Sequence, residues 1–132
     1  MDIHGTGVDL IEIDRIKRIV ERFGDLLLAR VFSPREIAYA AGKTNPYPHL
    51  AARFAAKEAF IKALSPLPID GVNLRDIELA VADGFMKPEL VVYGQAKAIL
   101  EKGQIEGIKI SVSHSKYYAV AVVILEKTNL AQ

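Results

Sequence analysis

The stretch Arg53-Phe54-Ala55-Ala56-Lys57-Glu58-Ala59-Phe60-Ile61-Lys62-Ala63 is helix-forming and apolar on most sides, yet it carries four charges. At 100° per residue, Ala52, Ala55, Ala56, Ala59 and Ala63 share one smooth side, while Phe60 with Leu64 and Phe54 with Ile61 make two larger ridges. Little of such a helix is left for water, so the chain must pack around it. Glu58 and Lys62 stand one turn apart with the acid first, which places them together beside the Phe54 and Ile61 ridge. A carboxylate there loses hydration and needs a lysine or a metal as partner. Spacing alone leaves two readings, a core helix with a satisfied ion pair or a helix that presents chemistry.

The 132 residues are expected to form one domain, residues 1–132, with a sizeable core. A formal net charge of +1 argues against a protein that neutralises many phosphates of a nucleic acid. With no cysteine there is no disulfide, thiolate metal site or thiol nucleophile, and a cytoplasmic location is expected. Met1-Asp2-Ile3-His4-Gly5 lacks the basic and then apolar pattern of a signal peptide. No apolar run approaches the roughly 18 residues of a membrane span, so no membrane partner is expected.

Ile3 to Leu10 reads as a strand whose period-two alternation puts Gly5, Gly7 and Asp9 on one face. Glycines in a strand mark the close approach of a ligand or another backbone. Asp9 reads either as a helix cap or as a functional carboxylate looking over that bare surface. From Ile13 to Phe23, Ile13, Ile16, Ile19, Val20 and Phe23 recur at helical spacing, and Gly24 is the expected stop. Arg15, Arg18 and Arg22 share one stripe on its other side, either a solvated face or a dock for an acidic helix. Leu26 to Phe32 reads as a short apolar segment. Ser33, Pro34 and Glu36 then make a capping box for a helix to about Ala41, and the central helix spans about Pro48 to Leu64.

After the Pro66 and Pro68 turns, Asp76 to Ala82 and Pro88 to Tyr93 read as strands joined at Asp83-Gly84, and Gly94 to Lys102 as a helix. Lys109 to Ser115 and Tyr118 to Glu126 are two further strands with Lys116 in their turn. The fold class is α+β, an antiparallel sheet packed by helices. Alternation through Ile108, Ile110 and Val112 sets His114 at the end of an apolar face, where a structural histidine is the commoner outcome.

Taken together, Gly5-Thr6-Gly7-Val8-Asp9-Leu10, Arg53 to Ala63, Lys87-Pro88, and Ser111-Val112-Ser113-His114-Ser115 with Tyr118-Ala119-Val120-Ala121 resemble the holo-acyl-carrier-protein synthase group of phosphopantetheinyl transferases. The resemblance runs through almost the whole chain in the family's order, and its most specific piece is Arg-Phe-Ala-Ala-Lys-Glu-Ala with a lysine four after the glutamate. Thr6 replaces an apolar residue and Met86 a glycine, which touches the details of coenzyme A contact.

The resemblance implies the 4′-phosphopantetheinyl transferase fold and transfer of the phosphopantetheine arm of coenzyme A to a serine of apo acyl carrier protein, within fatty acid and lipid biosynthesis. It also implies dependence on Mg²⁺ and a homotrimer with active sites at the subunit interfaces. Asp9 and Glu58 would hold the metal, Lys62 a phosphate oxygen and the charge of the leaving adenosine 3′,5′-bisphosphate. Ser113 and His114 would lie near the nucleotide, with Lys87 and Pro88 at its adenine and 3′-phosphate end. His114, Glu58 or a metal-bound water would be the base. Arg53 is a further phosphate candidate or a structural ion pair. Arg15, Arg18 and Arg22 would meet the acidic carrier protein. Two other readings compete: a non-catalytic module binding an acidic protein through its basic helix, and a hydrolase that releases the pantetheine phosphate to water.

Overall fold

The computed structural model describes residues 1–81 and 87–128. The chain runs β1 (Asp2–Glu12), α1 (Ile13–Val31), α2 (Pro34–Ala41), α3 (Tyr47–Leu64), a 3-10 turn (Leu74–Asp76), β2 (Ile77–Ala80), β3 (Glu89–Val92), α4 (Gly94–Lys102), β4 (Ile105–His114) and β5 (Tyr118–Lys127). The class is α+β, as expected. The strands form two antiparallel sheets, β1-β5-β4 and the hairpin β2-β3, where the sequence suggested one. The Asp83-Gly84 turn and Met86 fall outside the described residues.

The central helix is as deeply placed as its composition demands. Ala55, Ala56, Ala59, Phe60, Ala63 and Leu64 lose all their exposure, against Ala119, Ala121, Val123 and Leu125 of β5. What seats α3 is the bare face of β1. A Cβ added at Gly5 would lie 2.3 Å from the carbonyl oxygen of Ala63, and one added at Gly7 would lie 1.9 Å from that of Ala59. Two strand residues advance about 6.8 Å and four helical residues about 6 Å, so alternate residues of β1 keep step with successive turns of α3. The helix therefore runs antiparallel to β1, backbone on backbone.

Buried charge locks the helix on its other side. Lys57 is fully buried and its Nζ donates to Glu36 Oε1 at 2.6 Å, to Leu74 O at 3.0 Å and to Ile77 O. Burial pulls the Lys57 pKa down while Glu36 and Glu78 oppose it. The capping box at Ser33 and Glu36 forms as expected, and Glu36 Oε2 also accepts from Leu79 N at 3.0 Å. One carboxylate thus ties α2, α3 and β2 together.

Three local expectations need correction. Gly24 does leave helical geometry, with φ 65° and ψ −149°, but the chain resumes helix at once, so Leu26 to Val31 is helical. The kink turns Phe23 outward, 56% exposed, instead of into the core. Asp9 lies within β1 and caps nothing, since Glu12 is the residue preceding α1.

Substituting Gly7→Ala should force α3 off β1, at a cost of about 1–3 kcal/mol or more in stability. Gly42→Ala meets nothing closer than 3.6 Å and serves as the control. Thermal unfolding should show a clear drop in Tm for the first substitution and little change for the second.

Candidate active site

The seating of α3 brings Asp9, Glu58 and Lys62 to one place. Lys62 Nζ lies 3.1 Å from Asp9 Oδ1 and 3.0 Å from Val8 O. Asp9 and Glu58 line the same cavity of about 440 Å³, whose walls include Arg15, Ile16, Ile19, Val20 and Phe54. The two acids, distant in sequence, thus converge. The lysine pairs with Asp9 across the helix–strand seam and forms no ion pair with Glu58, which corrects the expected i, i+4 pair. Burial lifts the Glu58 pKa above the ordinary carboxylate range, Asp9 lifts it further by like charge, and Lys62 opposes.

Two carboxylates that repel each other in the wall of one cavity call for a cation beyond Lys62. Among the described residues no group of three His, Cys, Asp or Glu gathers to hold a metal. A pair of oxygen donors matches a hard ion that fills its other positions with water and substrate phosphate, as Mg²⁺ does.

His114 and Arg53 fall on the opposite flank of α3. His114 faces the same side of the sheet as Asp9, but β5 intervenes: Asp9 pairs with Ala121, Ala121 with Val112, and His114 lies two residues further along. Strand spacings put the Asp9 and His114 backbones roughly 12 Å apart. Around His114 stands a second cluster. Its ring is 6.1 Å from that of His49, which lies edge-on at 5.6 Å to Tyr39, and Arg53 sits over the Tyr39 ring at 4.2 Å.

Arg53 is 3% exposed, donates to His49 O at 3.2 Å and leaves its buried Nε without a partner. Among the described residues no carboxylate lies within 4.0 Å of it, so the structural ion pair does not form. Ser113, by alternation, faces away from α3 and is exposed, as are His114 and Lys87, while Pro88 is half-buried. His49 and Tyr39 escaped the sequence reading, although His49 precedes Arg53 by one helical turn.

The arginine stripe is divided by its neighbours. Arg15 lines the Asp9 and Glu58 cavity. Arg18 is tied to Asp14 at 2.8 Å, and Arg22 lies over the exposed ring of Phe23 at 5.2 Å.

Comparison with known proteins bears on the family and the fold. The family model of the 4′-phosphopantetheinyl transferase superfamily matches residues 5–123. A holo-(acyl-carrier-protein) synthase of Syntrophus aciditrophicus is 48% identical over 124 residues, covering 94% of this chain and 96% of that protein. Among solved structures, the corresponding synthase of Neisseria meningitidis superimposes with a TM-score of 0.85 at 33% identity, over 95% of this chain and 99% of that one. The Bacillus anthracis synthase, solved in complex with coenzyme A (3′,5′-ADP), gives 0.77 at 32% identity, over 97% of this chain and 100% of that one. By sequence and by fold, the chain belongs to the 4′-phosphopantetheinyl transferase superfamily.

Proposed function

We propose that this chain is a holo-acyl-carrier-protein synthase, one domain over residues 1–132, that moves the 4′-phosphopantetheine group from coenzyme A to a serine of apo acyl carrier protein. The observation that carries this is the meeting of Asp9, Glu58 and Lys62 at one cavity, in a chain of this family. The serine hydroxyl oxygen forms a bond to the phosphorus bearing the pantetheine. The bond from that phosphorus to the bridging oxygen breaks, and adenosine 3′,5′-bisphosphate departs with the electron pair. Asp9 and Glu58 would hold Mg²⁺, which when bound supplies positive charge to a diphosphate that gains negative charge as it splits. Lys62 turns from Asp9 toward a phosphate oxygen of the leaving group. The serine proton would go to Glu58 or to an imidazole, His114.

The separation of the two clusters supports an assembly. If Arg53, Ser113, His114, Lys87 and Pro88 meet the nucleotide while Asp9, Glu58 and Lys62 meet the diphosphate, a second copy must bring the first set to the second. The outer face of the three-stranded sheet supports the same reading. Val8, 56% exposed, and Leu10, 64% exposed, pair with Val122 and Val120 to leave an uncovered apolar surface. The inferred state is a homotrimer with its sites at the subunit boundaries.

The carrier protein docks on α1, where Arg15 and Arg22 remain free of carboxylates among the described residues and Phe23 and Leu26 stand exposed between basic side chains. A place in the cytoplasm and in fatty acid synthesis is the reading that goes with this family. Among the described residues no helix is long and apolar enough to cross a membrane.

Mass spectrometry of apo carrier protein incubated with coenzyme A and Mg²⁺ should show the added phosphopantetheine. Glu58→Ala should cut the rate on the order of 100- to 1000-fold. An unmodified carrier with intact coenzyme would favour the non-catalytic module, and degraded coenzyme with an unmodified carrier the hydrolase. Arg22→Glu, remote from the metal pair, should raise the KM for carrier protein much more than that for coenzyme A, and equal effects would reject the docking role. Sedimentation should give a trimer; a stable, active monomer would overturn the shared site.

A further inference from the structure

The corner around Tyr39 is positive on every side. Lys43 Nζ lies over the Tyr39 ring at 4.6 Å and Arg53 Cζ over the same ring at 4.2 Å, with His49 at its edge and His114 beyond. These groups come from α2, the segment after it, α3 and β4, and among the described residues no carboxylate lies within 4.0 Å of any of them. Glu36 is the nearest acid felt by Arg53, and it is already held by Lys57. Among the described residues, the buried Nε of Arg53 has nothing to donate to. Cations gathered with an unused donor describe a site awaiting an anion.

We propose that His49 is a proton-taking contact for the phosphate monoester of coenzyme A, which docks among Lys43, Arg53 and His114 and brings a proton onto the His49 imidazole as it binds. The inference rests on coenzyme A being the substrate and on this flank of α3 meeting its nucleotide end. The diphosphate has its place at Asp9, Glu58 and Lys62, which leaves the monoester for a corner without carboxylates. At pH 7 a phosphate monoester carries about −1.5 to −2 charges, a match for two permanent cations and two imidazoles.

Burial first, then Arg53, Lys43 and His114, hold the His49 pKa below its ordinary value and so favour the neutral ring. A dianion set against it favours the charged ring, and the bound value rises. Between the free and bound values each binding event draws a proton from solvent. Below that window His49 is already charged; as pH rises through it, the contribution of His49 to coenzyme A affinity falls. The backbone carbonyl of His49, which accepts from Arg53, is untouched by substitution of the ring.

The test is calorimetric titration of the wild-type protein and of His49→Gln with coenzyme A and with 3′-dephospho-coenzyme A, at pH 7 in buffers of differing ionisation enthalpy. For coenzyme A, the wild type should take up more protons, up to one per site, than His49→Gln. It should also bind about tenfold more tightly, the loss of one charge-assisted hydrogen bond. With the dephosphorylated ligand the two proteins should agree. Equal proton uptake in both proteins, with coenzyme A still preferred over its dephosphorylated form, overturns the role of His49. If neither protein distinguishes the two ligands, the monoester does not dock here and the proposal falls together with the placement of the nucleotide.

Discussion

The backbone contact between β1 and α3 is the constraint from which the rest of the molecule follows. Gly5 and Gly7 remove the side chains that would otherwise hold a helix about 10 Å off a sheet, and the alanines of α3 complete the approach. Every ångström gained there moves Glu58 and Lys62 toward the strand that carries Asp9. A lysine at the i+4 position from a glutamate ordinarily folds back on it. Here the strand is close enough for Lys62 to cross the seam and take Asp9 and Val8 O instead.

The helix pressed so closely divides the face it covers. On the β1 side stand the two acids and Lys62; on the β4 side stand Arg53, His49 and His114. Negative groups that suit a metal and positive groups that suit a phosphate are thereby kept apart, where as neighbours they would neutralise one another. Lys57 adds a third kind of charge, one spent wholly on structure. Its ammonium joins Glu36 and two backbone carbonyls, which sets the rotation of α3 about its axis and with it the direction in which Glu58 looks. A buried pair of this kind adds little net stability, but breaking it by removing one partner costs about 3–5 kcal/mol.

Much of this was legible in the residues. Periodicity placed α2, α3 and α4 to within a residue, because their caps and prolines act locally and the alanine side of α3 admits only burial. The glycines of β1 announced a close neighbour without naming it. The continuation of α1 past Gly24 was not legible: a single left-handed residue breaks the helix locally, and whether helix resumes depends on the packing of Leu28 and Val31 against the core. Phe23 faces solvent for the same reason, since the kink rotates the register that placed it inside.

The sequence by itself determined the class, the order of the elements, and the acids and cations available to the chemistry, because these depend on residue type and on spacings of a few positions. Only the tertiary structure decided which of them meet. Lys62 chose Asp9 over Glu58, Arg53 settled on an aromatic ring, and His114 came to rest beside His49 on the far side of α3. Those partnerships join positions up to 65 apart and are set by how closely one helix lies against one strand, a distance that no local spacing encodes.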